Sequence, residues 1–313
     1  MLSIGVSARH AVARLAAGLA MAGGFGMAPA SLRADSRVMY DSGASGIGSR
    51  YLAHAEAARI EGRMTEGLEA CDRAIADQPA FMAAHLHRGL MLMDIGLNDT
   101  AINEFTTALA AHPDSANLYY FRGIAYLRQH RASDAVAQLN RAASAPGILS
   151  GLYSNVLAVR SLAWEMLGKA DLAVADMGHA SKVLTNDPEN TYIMLYERCN
   201  TATIVGLLHS ASDSCDGSIA LRADADNEAA YESRGLLDLK LGNWDRAIAD
   251  YTKALYYRPE LTQAFYGRSI ARRAKGDVVA ANADAANGQK GEPHIAEIMS
   301  RLGVSAIMIT KPK

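Results

Sequence analysis

Between about residue 48 and residue 288 the apolar and polar positions recur in one order, spaced 34 residues apart. The fragments RGLMLMDIGLNDTAINEFTTAL from Arg88, RGIAYLRQHRASDAVAQLNRAA from Arg122 and RGLLDLKLGNWDRAIADYTKAL from Arg234 show the register. In each, an apolar run of helical spacing gives way to a turn residue and then to a second such run, so the pattern predicts two short helices per repeat. The turn residue is Gly62, Gly96, Gly168, Gly206, Gly242 and Gly276, with His130 as the exception; glycine suits the positive φ that ends a helix. Pro79, Pro113 and Pro259 fall where the second helix must stop.

With those residues in place, the unit resembles the tetratricopeptide repeat, an antiparallel helix pair with a bulky residue at position 4, small residues at 8, 20 and 27, an aromatic at 24 and proline at 32. Seven units fit, starting near Gly48, Met82, Ala116, Ser154, Tyr192, Glu228 and Thr262. Position 8 holds Ala55, Gly89, Gly123, Ser161, Cys199, Gly235 and Ser269, all small because two helix axes approach closely there. The resemblance implies an all-α fold, a right-handed superhelical solenoid of about seven helix pairs over 48–288. Residues 289–313 then supply a capping helix, HIAEIMSRL from His294, and a tail. Units three and four are separated by about four extra residues around Pro146 and Gly147, and units five and six by about two.

The N-terminus follows another pattern. Residues 1–30 carry Arg9 and Arg14 and no acid, then an apolar run from Leu15 to Met27, then Ala28-Pro29-Ala30. This is the layout of an export signal cleaved near Ala30, which places the mature chain in the periplasm or outside the cell; the alternative is an anchor retained over 15–27. Residues 31–47, rich in Ser, Gly and Asp, read as a flexible leader. Thirty-one Lys and Arg against 33 Asp and Glu give a formal charge of −2, so no global basic field recommends nucleic acid or an anionic membrane as a partner.

Position 7 is arginine in six units (Arg88, Arg122, Arg160, Arg198, Arg234, Arg268), and position 23 is acidic in four of them (Glu104, Asp176, Asp250, Asp284). These positions face each other in an antiparallel hairpin. The pairs Arg88–Glu104, Arg160–Asp176, Arg234–Asp250 and Arg268–Asp284 are therefore predicted to clamp their hairpins, the alternative being a row of arginines for an anionic ligand. Cys199 and Cys215 also face each other in one hairpin. They read as a disulfide in an exported protein, or else as two buried thiols. The nine histidines form no catalytic group, His85 and His87 being two apart on one helix. No metalloprotease, nucleophile-elbow, dinucleotide or phosphate-loop motif occurs. The expectation is a protein without enzymatic activity, cofactor, metal or small-molecule substrate.

The resemblance also implies that first-helix positions 2, 5, 9 and 12 line a concave, peptide-gripping surface. Those positions supply Leu86, Leu90, Met93, Asn117, Tyr120, Ile124, Leu127, Asn155, Leu162, Tyr196 and Asn200. Ile193, Glu232, Leu236, Tyr266 and Ile270 extend the row. The groove so drawn is apolar with a few amides, suited to a peptide or partner segment with large apolar side chains. The expected function is a protein-binding scaffold or adaptor of the cell envelope. The alternative is an element that self-assembles through the same face, with an enzyme-regulating arm more remote.

Overall fold

A computed structural model describes residues 48–60, 63–222 and 227–304. The export-signal and leader segments and the extreme C-terminus lie outside the described residues. Within these, the chain is all α: fifteen helices joined by short turns, with no strand. The first hairpin is α1 (Gly48–Ile60) and α2 (Met64–Asp77), the second α3 (Met82–Asp94) and α4 (Asn98–Ala111), the third α5 (Ala116–Arg128) and α6 (Ala132–Ala143). The fourth is α7 (Ser150–Met166) and α8 (Ala170–Val183), the fifth α9 (Pro188–Val205) and α10 (Leu208–Leu221). Then come α11 (Glu228–Leu241) with α12 (Trp244–Tyr257), α13 (Thr262–Ala274) with α14 (Val278–Gly291), and the short α15 (Ile295–Arg301).

From the second hairpin to the seventh, the turns form because a left-handed residue is available at each; Gly62, the turn residue predicted for the first, lies outside the described residues. Gly96, Gly168, Gly206, Gly242 and Gly276 sit at φ between 70° and 86°, and His130 adopts φ 57° in the one turn without glycine. The small residues let side chains of the second helix reach the first: a Cβ on Gly89 would stand 2.2 Å from the Phe105 ring. Pro146 and Gly147 lie in the connection between α6 and α7, and the helix that follows is lengthened: α7 begins at Ser150, and α9 likewise begins at Pro188, each about one helical turn before the start that the repeat register assigns.

Those added turns change the stacking. Elsewhere the second helix of one hairpin packs on the first helix of the next, but at the fourth hairpin α7 packs directly on α9, largely in place of α8; α11 is met by α9 as well as by α10. Helix α8 stands to the outside. It meets α9 at a small cluster of Leu157, Ala180, Leu184 and Met194, and leaves Leu172, Val174 and Val183 exposed. One apolar core runs from the first hairpin through the fifth, and a second joins α11 to α15. The C-terminal end turns back on the molecule: Arg301 donates to the carbonyl of Ile95, 206 residues away, and its Cβ lies over Gly96.

Candidate binding surface

The position-7 arginines bridge their hairpins in one register, sixteen residues apart. Arg160 reaches Asp176 at 2.7 and 2.8 Å, Arg234 reaches Asp250 at 2.7 and 2.8 Å, and Arg268 makes two 2.8 Å bonds to Asp284. Arg88 bonds Glu104, which also takes His85. Where the sequence offers no acid, the bridge persists with neutral acceptors: Arg122 to Gln138 and Arg198 to Ser214. Most of these guanidiniums carry a second bond to the preceding hairpin, to Asp72, Thr106, Asn140, Asp216 and Thr252. Arg198 instead turns to Ser161 and Glu165, which belong to α7, because α7 is the neighbour of α9. Bonding to Asp176 raises the Arg160 guanidinium above its ordinary value against the opposing effect of burial. The arginine row is thus spent inside the protein, which leaves little of it for an anionic ligand.

Cys199 and Cys215 are joined in a disulfide with Cα atoms 4.9 Å apart. The third cysteine, Cys71, is buried, and burial pushes its thiol up to about 12.

The predicted groove is not open. Leu86, Leu90, Met93, Tyr120, Ile124, Leu127, Asn155, Leu162, Tyr196 and Asn200 are all buried, and Asn117 is half-buried. The structure brings these residues together as the interior. The reason is the tightness of the superhelix: α5 reaches α9 across the axis, and α1, α3, α5, α7 and α9 feed one continuous core. Side chains that would grip a peptide in a wider coil here grip one another.

Charged residues also line this axis, and of these only Glu232 belongs to the predicted row. Arg59 bonds Asp94 at 2.8 Å, both nearly inaccessible. Arg128 donates to the Met93 carbonyl at 2.8 Å, and Lys240 to the Thr203 carbonyl at 2.9 Å. Burial pushes Glu197 and Glu232 each up to about 8 and pulls Lys240 down to about 8. The Tyr120 and Tyr196 hydroxyls, the Asn155 and Asn200 side-chain oxygens, and Oε1 of Glu197 and Glu232 meet no hydrogen-bonding partner. Such atoms are infrequent in folded proteins, because each forfeits hydration without replacement. The sequence signal for this set is a charge closing an apolar first helix, as in MLMD at Asp94 and AYLR at Arg128, both at position 13 of the repeat.

At the C-terminal end the inner face is covered by α15. Ile295, Ile298, Met299 and Leu302 are buried against Leu236, Leu239, Ile270 and Ala271, with Ile95 and Ile204 closing the other side. A cavity of about 20 Å³ remains between them, lined by Asn200, Glu232, Ser233, Leu236, Tyr251, Gln263, Met299 and Leu302. Among the described residues no cluster of three or more His, Cys, Asp or Glu could hold a metal ion, and no helix is long and apolar enough to cross a membrane.

The tetratricopeptide repeat family model matches residues 88–147 and 232–288. No curated protein matches it. Among solved structures it is similar to a tetratricopeptide repeat protein from Parabacteroides merdae, at 16% identity over 83% of this chain and 100% of that one, with a TM-score of 0.43. It is similar also to PilF of Pseudomonas aeruginosa, at 16% identity over 68% of this chain and 92% of that one, TM-score 0.44. PilW, described as a type IV pilus biogenesis factor, shows 17% identity over 83% of this chain and 100% of its own, TM-score 0.40.

Proposed function

We propose that the chain is a non-catalytic scaffold of the cell envelope that binds a segment of another protein. The observation that carries the reading is where its strong polar groups go: arginine after arginine bridges one hairpin to itself and to the last, building a stiff frame. The disulfide supports an oxidising compartment, as does the signal-like N-terminus. Cross-linking in living cells, followed by recovery of the full chain from the envelope fraction, should yield a discrete partner at fixed stoichiometry. Alkylation of that denatured, unreduced chain should find one reactive thiol, Cys71. Recovery from the cytoplasm alone with three reactive thiols overturns the envelope assignment, and recovery with no partner overturns the scaffold.

A second reading, self-assembly, is favoured by the apolar side chains that α8 exposes. Sedimentation of the purified chain should then show a concentration-dependent mass that the double change Leu172→Lys and Val174→Lys abolishes; a monomer at all concentrations removes this reading.

A further inference from the structure

The short helix α15 occupies the inner face of α11 and α13 as a ligand would. Its contact residues Ile295, Ile298, Met299 and Leu302 stand at i, i+3, i+4 and i+7, the spacing with which an amphipathic helix enters an apolar groove. Its seven residues are too few to be helical unaided, so the groove imposes the form. The fit is incomplete in one respect. Met299 and Leu302 line a cavity together with Glu232 and Asn200, and Oε1 of Glu232 and Oδ1 of Asn200 are buried without a partner, on side chains that are 7% and 4% exposed. A helix serving merely to cover the end of the stack would gain from meeting those two acceptors, and α15 brings no donor to them.

We propose that this face is a docking site for a partner's amphipathic helix, one with α15's apolar spacing and a Lys or Arg at the place of Met299 that reaches Glu232 and Asn200, displacing α15 when it binds. The proposal rests on the scaffold reading and names the surface and the kind of segment it takes. Around Glu232 the charges of Arg258, Glu228 and Asp94 are the others in range, and Arg258 is already bonded to Glu228, so the incoming cation meets an acceptor with capacity left.

The test uses the full chain and two fluorescent peptides: PHIAEIMSRLGV, residues 293–304, and the same peptide with Met299→Lys. In the full chain carrying Ile295→Ser and Ile298→Ser, which loosens the resident helix, both peptides should bind at least tenfold more tightly than to the unaltered chain. The lysine peptide should bind about tenfold better than the native one, and adding Glu232→Gln should erase that advantage. A folded double variant that binds neither peptide, or both equally whatever stands at 232, overturns the proposal. So does a dimer formed by exchange of α15, which would make a second copy the occupant. Should the double variant fail to fold, hydrogen exchange on the unaltered chain decides: saturating lysine peptide should accelerate exchange of the 295–301 amides, and unchanged protection overturns the docking site. A partner recovered from cells while these peptide tests fail would leave the scaffold reading intact and refute this surface.

Discussion

At the scale of single residues, the clamps and the axial charges carry opposite consequences. Asp250 is 4% exposed and takes both bonds from an Arg234 that is 17% exposed at its side chain. Asp250→Ala should therefore destabilise by about 2 kcal/mol, below the range for fully buried pairs because the arginine retains some access to water. Arg122→Ala, which loses neutral acceptors, should cost less than about 1 kcal/mol; urea unfolding at pH 7 measures both, and equal effects would contradict the assignment. The axial carboxyls give a pH signature. Glu197 and Glu232 are held at about 8 by burial, against an ordinary 4.5. Between those values the folded chain binds more protons than the unfolded one, so this contribution to stability is present below pH 4.5 and lost as pH rises through 8. Lys240 acts in the other direction: lowered from 10.5 to about 8, it makes the unfolded chain the greater proton binder above pH 8, and stability recovers there. The melting temperature of Glu232→Gln should exceed that of the unaltered chain at pH 8.5 by more than at pH 5. A constant difference across that range would show that Glu232 does not titrate as assigned. The hairpin partners were legible in the sequence because facing positions have a fixed sum within a repeat. Asp94 and Arg128 were not, standing at a position that a reading limited to 2, 5, 9 and 12 passes over.

At the scale of elements, close approach between helices sets what each hairpin tolerates. A Cβ at Gly267 would lie 2.4 Å from the Tyr251 ring, so Gly267→Ala should destabilise by about 1–3 kcal/mol. Gly178 on α8 has nothing within 4 Å, and Gly178→Ala should instead stabilise by up to about 1 kcal/mol; thermal melts of the two variants shifting in the same direction would refute the packing argument. Reducing the Cys199–Cys215 bond, which closes a segment of sequence separation 16, should lower stability by about 3 kcal/mol, read as the urea midpoint with and without a phosphine reductant. The helix pairs were legible because small residues, turn glycines and prolines recur at fixed offsets. The early starts of α7 and α9 were hidden: SGLY and PENT carry no repeat signature and become helical by adding a turn to an existing helix.

For the whole molecule, the decisive quantity is the tightness of the coil. It is the sum of small rotations from one hairpin to the next, and no single residue encodes it. The sequence therefore identified many residues that face the axis without showing that they face one another. Arg301 at the Ile95 carbonyl, with α15 packed between Ile95 and Ile204, ties the last element to the second and fifth hairpins. An array held together by neighbours alone can unzip from one end, whereas ends tied together must let go as a unit. Trp164 and Trp244 lie in the fourth and sixth hairpins, so variants retaining only one of them should show coincident urea midpoints by fluorescence; separated midpoints would mean that the tie does not couple the ends. The same contact limits how this chain can change its length. An open solenoid can lose or duplicate a unit and remain a solenoid, since each unit needs only the ones beside it. Here the return of α15 onto Gly96 demands one particular number of turns, and deleting or inserting a single 34-residue segment would carry Arg301 past its landing site. The copy number of the repeat is thereby fixed by geometry.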